Sequence, residues 1–160
     1  MRVARFRAVG KEPEHMSTGY LKRWLMDRRV PNPRDVRIFG FDVEVSPEEQ
    51  KRGFRGYEVW ANVPAGVRPG EGVRIHRVPG GLYAVMRVPD ALVDPYARIP
   101  AGWKRLGEWV HRSREYRLTE GLCLEEHVQG RGSMHLDLFV PVAPVPRPRR
   151  ATPRPRAVHR

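Results

Sequence analysis

The chain runs twice through one order of elements, and that repetition narrows its possible folds more than any other feature. In the first half, Arg2 to Val9 alternates apolar and basic residues, as a half-buried strand does. Ser17 then offers an N-cap, and Tyr20, Leu21, Trp24 and Leu25 recur at helical spacing until Pro31 stops the pattern. Two strands follow, Val36 to Phe41 and Gly56 to Val63, on either side of a charged loop holding Ser46-Pro47-Glu48-Glu49 that its length predicts to be mobile. In the second half, Val73 to Val78 and Leu82 to Val88 flank Pro79-Gly80-Gly81. This predicts a hairpin, because glycine supplies the positive φ of tight hairpin turns. Pro100 suits the first turn of a helix that carries Trp103, Leu106 and Val110 on one face, with Trp109 beside them. A charged connection, Glu115 to Glu120, leads to a strand around Glu125 and a last strand ending at Val140.

Side by side, the halves read strand, helix, pair of strands. The helices carry Tyr20-Leu21-Lys22-Arg23-Trp24 and Trp103-Lys104-Arg105-Leu106 respectively. The expected architecture is α+β: a pseudo-twofold duplication of a strand-helix-strand-strand module, with an antiparallel sheet, two helices on one face and a ligand groove on the other. Trp24, Trp103 and Trp109 read as core residues by their helical spacing, with Trp103 close enough to its helix start to reach a groove rim.

A chain of 160 residues can bury a proper core as one domain, here residues 1–143. The formal net charge of +12 ordinarily points to nucleic acid, yet six arginines and no acid fall in residues 144–160, so half of the excess sits in a Pro/Arg-rich tail. That tail has too few apolar residues to bury and is expected to be disordered. The body mixes signs, so direct specific nucleic-acid binding by it is not expected, and the tail is left with weak contacts at most. The single cysteine, Cys123, allows no internal disulfide, which suits a reducing cytoplasm. Neither a spanning apolar run nor a signal-peptide pattern is present, so no membrane role is expected.

The segment Leu122-Cys123-Leu124-Glu125-Glu126-His127 carries the chemistry. Strand alternation puts Leu122, Leu124 and Glu126 on one face and Cys123, Glu125 and His127 on the other. One glutamate is therefore directed inward unless this is an edge strand with two solvated carboxylates, and an inward carboxylate needs a cation or hydrogen-bond donors. Cys123, Glu125 and His127 span about 13 Å along an extended strand, too far for three ligands of one metal. No metal and no cofactor is expected. On the strand from Gly56, Glu58, Trp60 and Asn62 share one face and Tyr57, Val59 and Ala61 the other. The polar face with its tryptophan does not suit helix packing, so Glu58 and Trp60 are expected in the groove with Glu125. A carboxylate among aromatic rings suits a delocalised cation, since each ring contributes ~0.5–2 kcal/mol.

Pro79-Gly80-Gly81-Leu82-Tyr83-Ala84-Val85, Trp103-Lys104-Arg105-Leu106, Leu124-Glu125-Glu126-His127 and Leu136-Asp137-Leu138-Phe139-Val140-Pro141-Val142, in that order, resemble the GyrI-like, or bacterial effector-binding, domains. Gly56-Tyr57-Glu58-Val59-Trp60 is similar to a strand of one branch of that family. The resemblance covers residues 1 to about 143. It implies paired modules around an aromatic pocket that takes lipophilic, often cationic, molecules, with a glutamate on the next-to-last strand reaching in. Glu125 matches that position, and Trp60, Glu58, Tyr57, Trp103 and Tyr83 complete the expected ligand-binding set.

Members occur fused to DNA-binding heads in multidrug-responsive regulators, and alone. No helix-turn-helix precedes the first strand here, so a stand-alone domain, monomer or homodimer, is expected. The expected function is multidrug sensing or sequestration. Two alternatives remain. One is hydrolysis of cyclopropane-bearing genotoxins, with Glu125 as general base and Tyr57 or Tyr83 as proton donor. The other is an interaction module acting on a DNA-associated partner such as gyrase.

Overall fold

A computed structural model of the chain describes residues 1–30, 36–129 and 134–146. The expected break at Pro31-Asn32-Pro33 and residues 147–160 of the expected tail lie outside the described residues. The elements run β1 (Arg2–Gly10), α1 (Pro13–Asp27), β2 (Ile38–Val43), α2 (Pro47–Lys51), β3 (Arg55–Asn62), β4 (Arg74–Arg77), β5 (Tyr83–Val88), α3 (Pro95–Arg112), β6 (Tyr116–Leu118), β7 (Leu124–Gln129) and β8 (Met134–Pro144). The strands form one eight-stranded sheet in the order β4-β1-β3-β2-β7-β8-β5, with β6 added to β8. Every pairing between named strands is antiparallel.

The duplication is explicit in that order. One module, β1-α1-β2-β3, contributes the strands β1-β3-β2, and the other, β5-α3-β7-β8, contributes β5-β8-β7. They meet at a single seam, where β2 pairs β7. Cross-strand partners share a face, so the registers trace whole rows across the sheet. Phe6, Val59, Gly40, Glu125, Leu138 and Met86 form one row, and Ala4, Ala61, Ile38, His127, Leu136 and Val88 its neighbour on the same face. Helices α1 and α3 lie on this face. Leu21, Trp24 and Leu25 of α1 pack on Ala4, Tyr57, Val59 and Ala61, while Leu106 and Val110 of α3 pack on Ala84, Val88, Leu136, Leu138 and Val140. Trp24 is a core residue as expected, at 2% exposure; Trp109 is half exposed and stacks on Tyr116. Among the described residues, no helix is long and apolar enough to cross a membrane.

Several local expectations are corrected. The two strands around Gly80-Gly81 form no hairpin: β4 pairs β1 at one edge of the sheet and β5 pairs β8 at the other. The apolar side of β5, Ala84 and Val88, is taken up by α3 and β8, so each strand completes its own module instead of pairing its sequence neighbour. Helix α1 starts at Pro13, whose missing N–H is tolerated in a first turn, and Ser17 lies inside it, its Oγ donating to the Pro13 carbonyl at 2.7 Å. Helix α3 starts at Pro95, with the Asp94 side chain accepting from the Ala97 N–H, so Pro100 falls inside it. The Ser46 loop holds the short helix α2, closed by a capping box in which Ser46 and Glu49 bond reciprocally. The Glu115–Glu120 connection contains β6, and β8 runs through Pro144, one residue past the expected domain end.

Candidate functional site

Helix α1 covers β1 and β3, and α3 covers β5, β8 and β6. The central strands β2 and β7 lie between them, and the gap above those strands is a pocket of about 340 Å³ lined by Phe41, Asp42, Tyr57, Trp103, Gly121, Leu122, Cys123 and Glu125. The α+β duplication and the shared face of the helices are as expected. The groove position is not: the pocket opens on the helix-bearing face.

Register decides this. Phe39 pairs both Trp60 and Glu126, so those three point away from the helices, while Gly40 pairs Glu125 on the helix side. Neighbouring glutamates on one strand must face opposite ways. Glu125 therefore does not share a groove with Glu58 and Trp60. Glu58 and Trp60 lie on the face without helices. There the Trp60 Nε1–H donates to Glu58 Oε1 at 2.7 Å, Arg5 lies 3.5 Å from the same oxygen, and Trp60 packs edge-on against Phe41 at 4.8 Å between centroids. Tyr83 is on that face too, edge-on to Phe139 at 5.9 Å, within a cluster built on Val3, Phe39, Phe41, Trp60 and Leu124. Trp60, Glu58 and Tyr83 therefore lie across the sheet from Glu125 and do not line its pocket.

Three expected residues do converge. The Tyr57 hydroxyl donates to Glu125 Oε2 at 2.9 Å, and the Trp103 indole N–H donates to Glu125 Oε1 at 3.1 Å. Tyr57 belongs to β3 and Glu125 to β7, with β2 between them, so the phenol must pass over β2. It does so at Gly40. A Cβ there would fall 2.5 Å from the ring Cζ and closer still to Oη, which is why this row has a residue without a side chain. On the reverse face Arg37 grips Glu126 through two bonds of 2.6 and 2.8 Å, which holds the orientation that turns Glu125 into the pocket. Trp103 projects from the α3 turn above.

Both Glu125 oxygens thus have neutral donors, and among the described residues no Lys, Arg or His forms an ion pair with it. Burial raises its pKa above the usual carboxylate range. The Trp103 and Tyr57 hydrogen bonds oppose that rise, and the charges of Asp42 and Glu14 add to it. The Tyr57 phenol is pushed well up, first by burial and then by the Glu125 charge, so it stays a donor. Asp42, paired with Tyr57 in register, is also raised by burial, against the pull of Arg55. Burial raises the Cys123 thiol as well, which disfavours a nucleophilic thiolate. His127 is lowered to about 4 by burial and by Lys22, so it sits neutral beneath the helices.

Sequence reasoning missed Asp42, Gly40 and the Gly121-Leu122 rim. The signal for the first two was the alternation Gly40, Asp42 along β2, which becomes informative only once β2 is placed beside β7. A second depression, about 440 Å³, is lined by Arg28, Arg29, Val30, Pro64, Gly66, Val67 and Arg68. It holds three guanidiniums and neither a carboxylate nor an aromatic ring, so it shares none of the chemistry gathered around Glu125.

No curated protein matches the chain. The family described as Cass2, integron-associated effector binding protein, matches residues 1–142, the span that contains all but the last two residues of the paired modules and every residue lining the pocket around Glu125. The chain belongs to the integron-associated effector binding proteins, a GyrI-like effector-binding family.

Proposed function

We propose that the chain binds lipophilic cationic small molecules between its two helices, and so serves in sensing or sequestering such compounds. Membership of an effector-binding family supports a small-molecule partner. The observation that carries the charge preference is Glu125: a partly buried carboxylate, held by two neutral donors, with a tryptophan and a tyrosine beside it and, among the described residues, no ion-pair partner. An arriving cation supplies the missing charge where solvent screening is reduced, and each aromatic ring adds ~0.5–2 kcal/mol. Anions meet repulsion from the same carboxylate.

Ethidium, a flat aromatic monocation, tests this. Titrated into nucleic-acid-free protein and followed by tryptophan quenching and dye anisotropy, it is expected to saturate, with affinity at least tenfold weaker in Glu125→Gln. Equal affinity in the two proteins would overturn the assignment. Trp103→Phe, which removes the indole N–H beside Glu125, separates quenching at the pocket from quenching at Trp109.

A further inference from the structure

We infer that the pocket is built for dications, molecules with a cationic aromatic body and a second positive group several ångström away. This rests on the cation-binding reading above and specifies its ligand class. Asp42 lines the same pocket as Glu125. Its register partner is Tyr57, and Glu125 pairs with Gly40, two residues earlier on β2. Two residues along a strand and one strand across put the two Cα atoms about 8 Å apart, both side chains on the helix face. The carboxylates differ in depth. Glu125 is partly buried on the floor under Trp103, whereas Asp42 is exposed at the mouth.

Among the described residues, neither acid has an ion-pair partner of its own. Arg55 acts on Asp42, but its guanidinium is engaged by the Glu14 carboxylate, and Glu14 and Asp42 both add negative potential at Glu125. Among the described residues, the charges acting on this pair are the Glu14 carboxylate, the two acids on each other and the Arg55 guanidinium, in a chain whose formal net charge is +12. A monocation seated on Glu125 offsets one of the two acids. A second positive group, reaching past the half-exposed apolar rim at Leu122, offsets the other.

Ethidium and propidium share one phenanthridinium ring, and propidium carries an additional quaternary ammonium on a short alkyl arm. Wild-type protein is expected to prefer propidium by about fivefold or more at low ionic strength, with the ratio shrinking in 0.3 M salt as screening shortens the reach of the exposed carboxylate. Asp42→Asn should bring the ratio to about one, and Asp42→Glu, which keeps the charge, should retain it. Ethidium binding with no propidium preference in the wild type, or a preference that survives Asp42→Asn, would overturn this inference and leave the cation-binding reading standing. Failure of both dyes to bind would overturn the two together.

Discussion

Replacing Gly40 by alanine adds one methyl group at the point where the Tyr57 side chain crosses β2. The new Cβ would lie 2.5 Å from the ring Cζ and closer to Oη, against ordinary carbon contacts of about 3.5–4 Å, so the ring must shift by about 1 Å. Tyr57 is only 3% exposed and packs against the α1 cluster, which leaves little room to yield. Overpacking of this kind costs about 1–3 kcal/mol. Displacing the hydroxyl also breaks its 2.9 Å bond to Glu125, worth about 1.5–3 kcal/mol for a charged acceptor. The smaller chain entropy of alanine returns about 0.5–1 kcal/mol. The balance is a loss of about 2–5 kcal/mol in urea unfolding, together with weakened ethidium binding. In a Tyr57→Leu background, which lacks the clashing atoms, the same substitution should be close to neutral, and the coupling in that cycle isolates the crossing contact. A loss under about 1 kcal/mol with ethidium affinity intact would refute the reasoning.

Three further outcomes follow from the same geometry. Gly102→Ala should destabilise by about 1–3 kcal/mol despite the better helix propensity of alanine, because its Cβ would lie 2.5 Å from Val88 Cγ2 and 2.9 Å from Leu138 Cδ1; unchanged urea midpoints would contradict the close approach of α3 to the sheet. His127, at about 4 in the fold against 6.5 when unfolded, contributes stability that is complete above pH 6.5 and lost as pH falls toward 4, up to about 3 kcal/mol. His127→Gln should flatten that part of the stability profile, and an unchanged slope between pH 6.5 and 4 would count against a buried neutral imidazole. Because the Glu125 pKa is raised, a bound cation should favour the ionised form. Affinity should then rise with pH through the acid range, with proton release on binding that calorimetry in buffers of different ionisation enthalpy can read and that Glu125→Gln abolishes.

The modules were legible because periodicity reports burial, and each half has its own strand, helix and strand pair. Glu125 stood out for a similar reason: alternation directs one of two adjacent glutamates inward whatever the partner strand. Which face was inward depends on the β2–β7 register, a contact between residues 85 or more positions apart that no local pattern encodes. Trp60 and Glu58 drew attention as an aromatic beside an acid, yet they satisfy each other, with Arg5, on the opposite face. Tyr57 reaches Glu125 because of a glycine in the strand between them, and a missing side chain leaves no signature in an apolar pattern. The expected hairpin failed for the same non-local reason: β4 and β5 are adjacent in sequence and lie at opposite edges of the sheet.

The seam between β2 and β7 also governs stoichiometry. A duplicated module would ordinarily present two equivalent sites, one per repeat. This pocket straddles the line along which the repeats meet, and each contributes what the other lacks: Gly40, Asp42 and Tyr57 from one, Trp103 and Glu125 from the other. Two repeats therefore make one asymmetric cavity, so titrations should approach a single equivalent per chain, and neither repeat alone carries half of a working site.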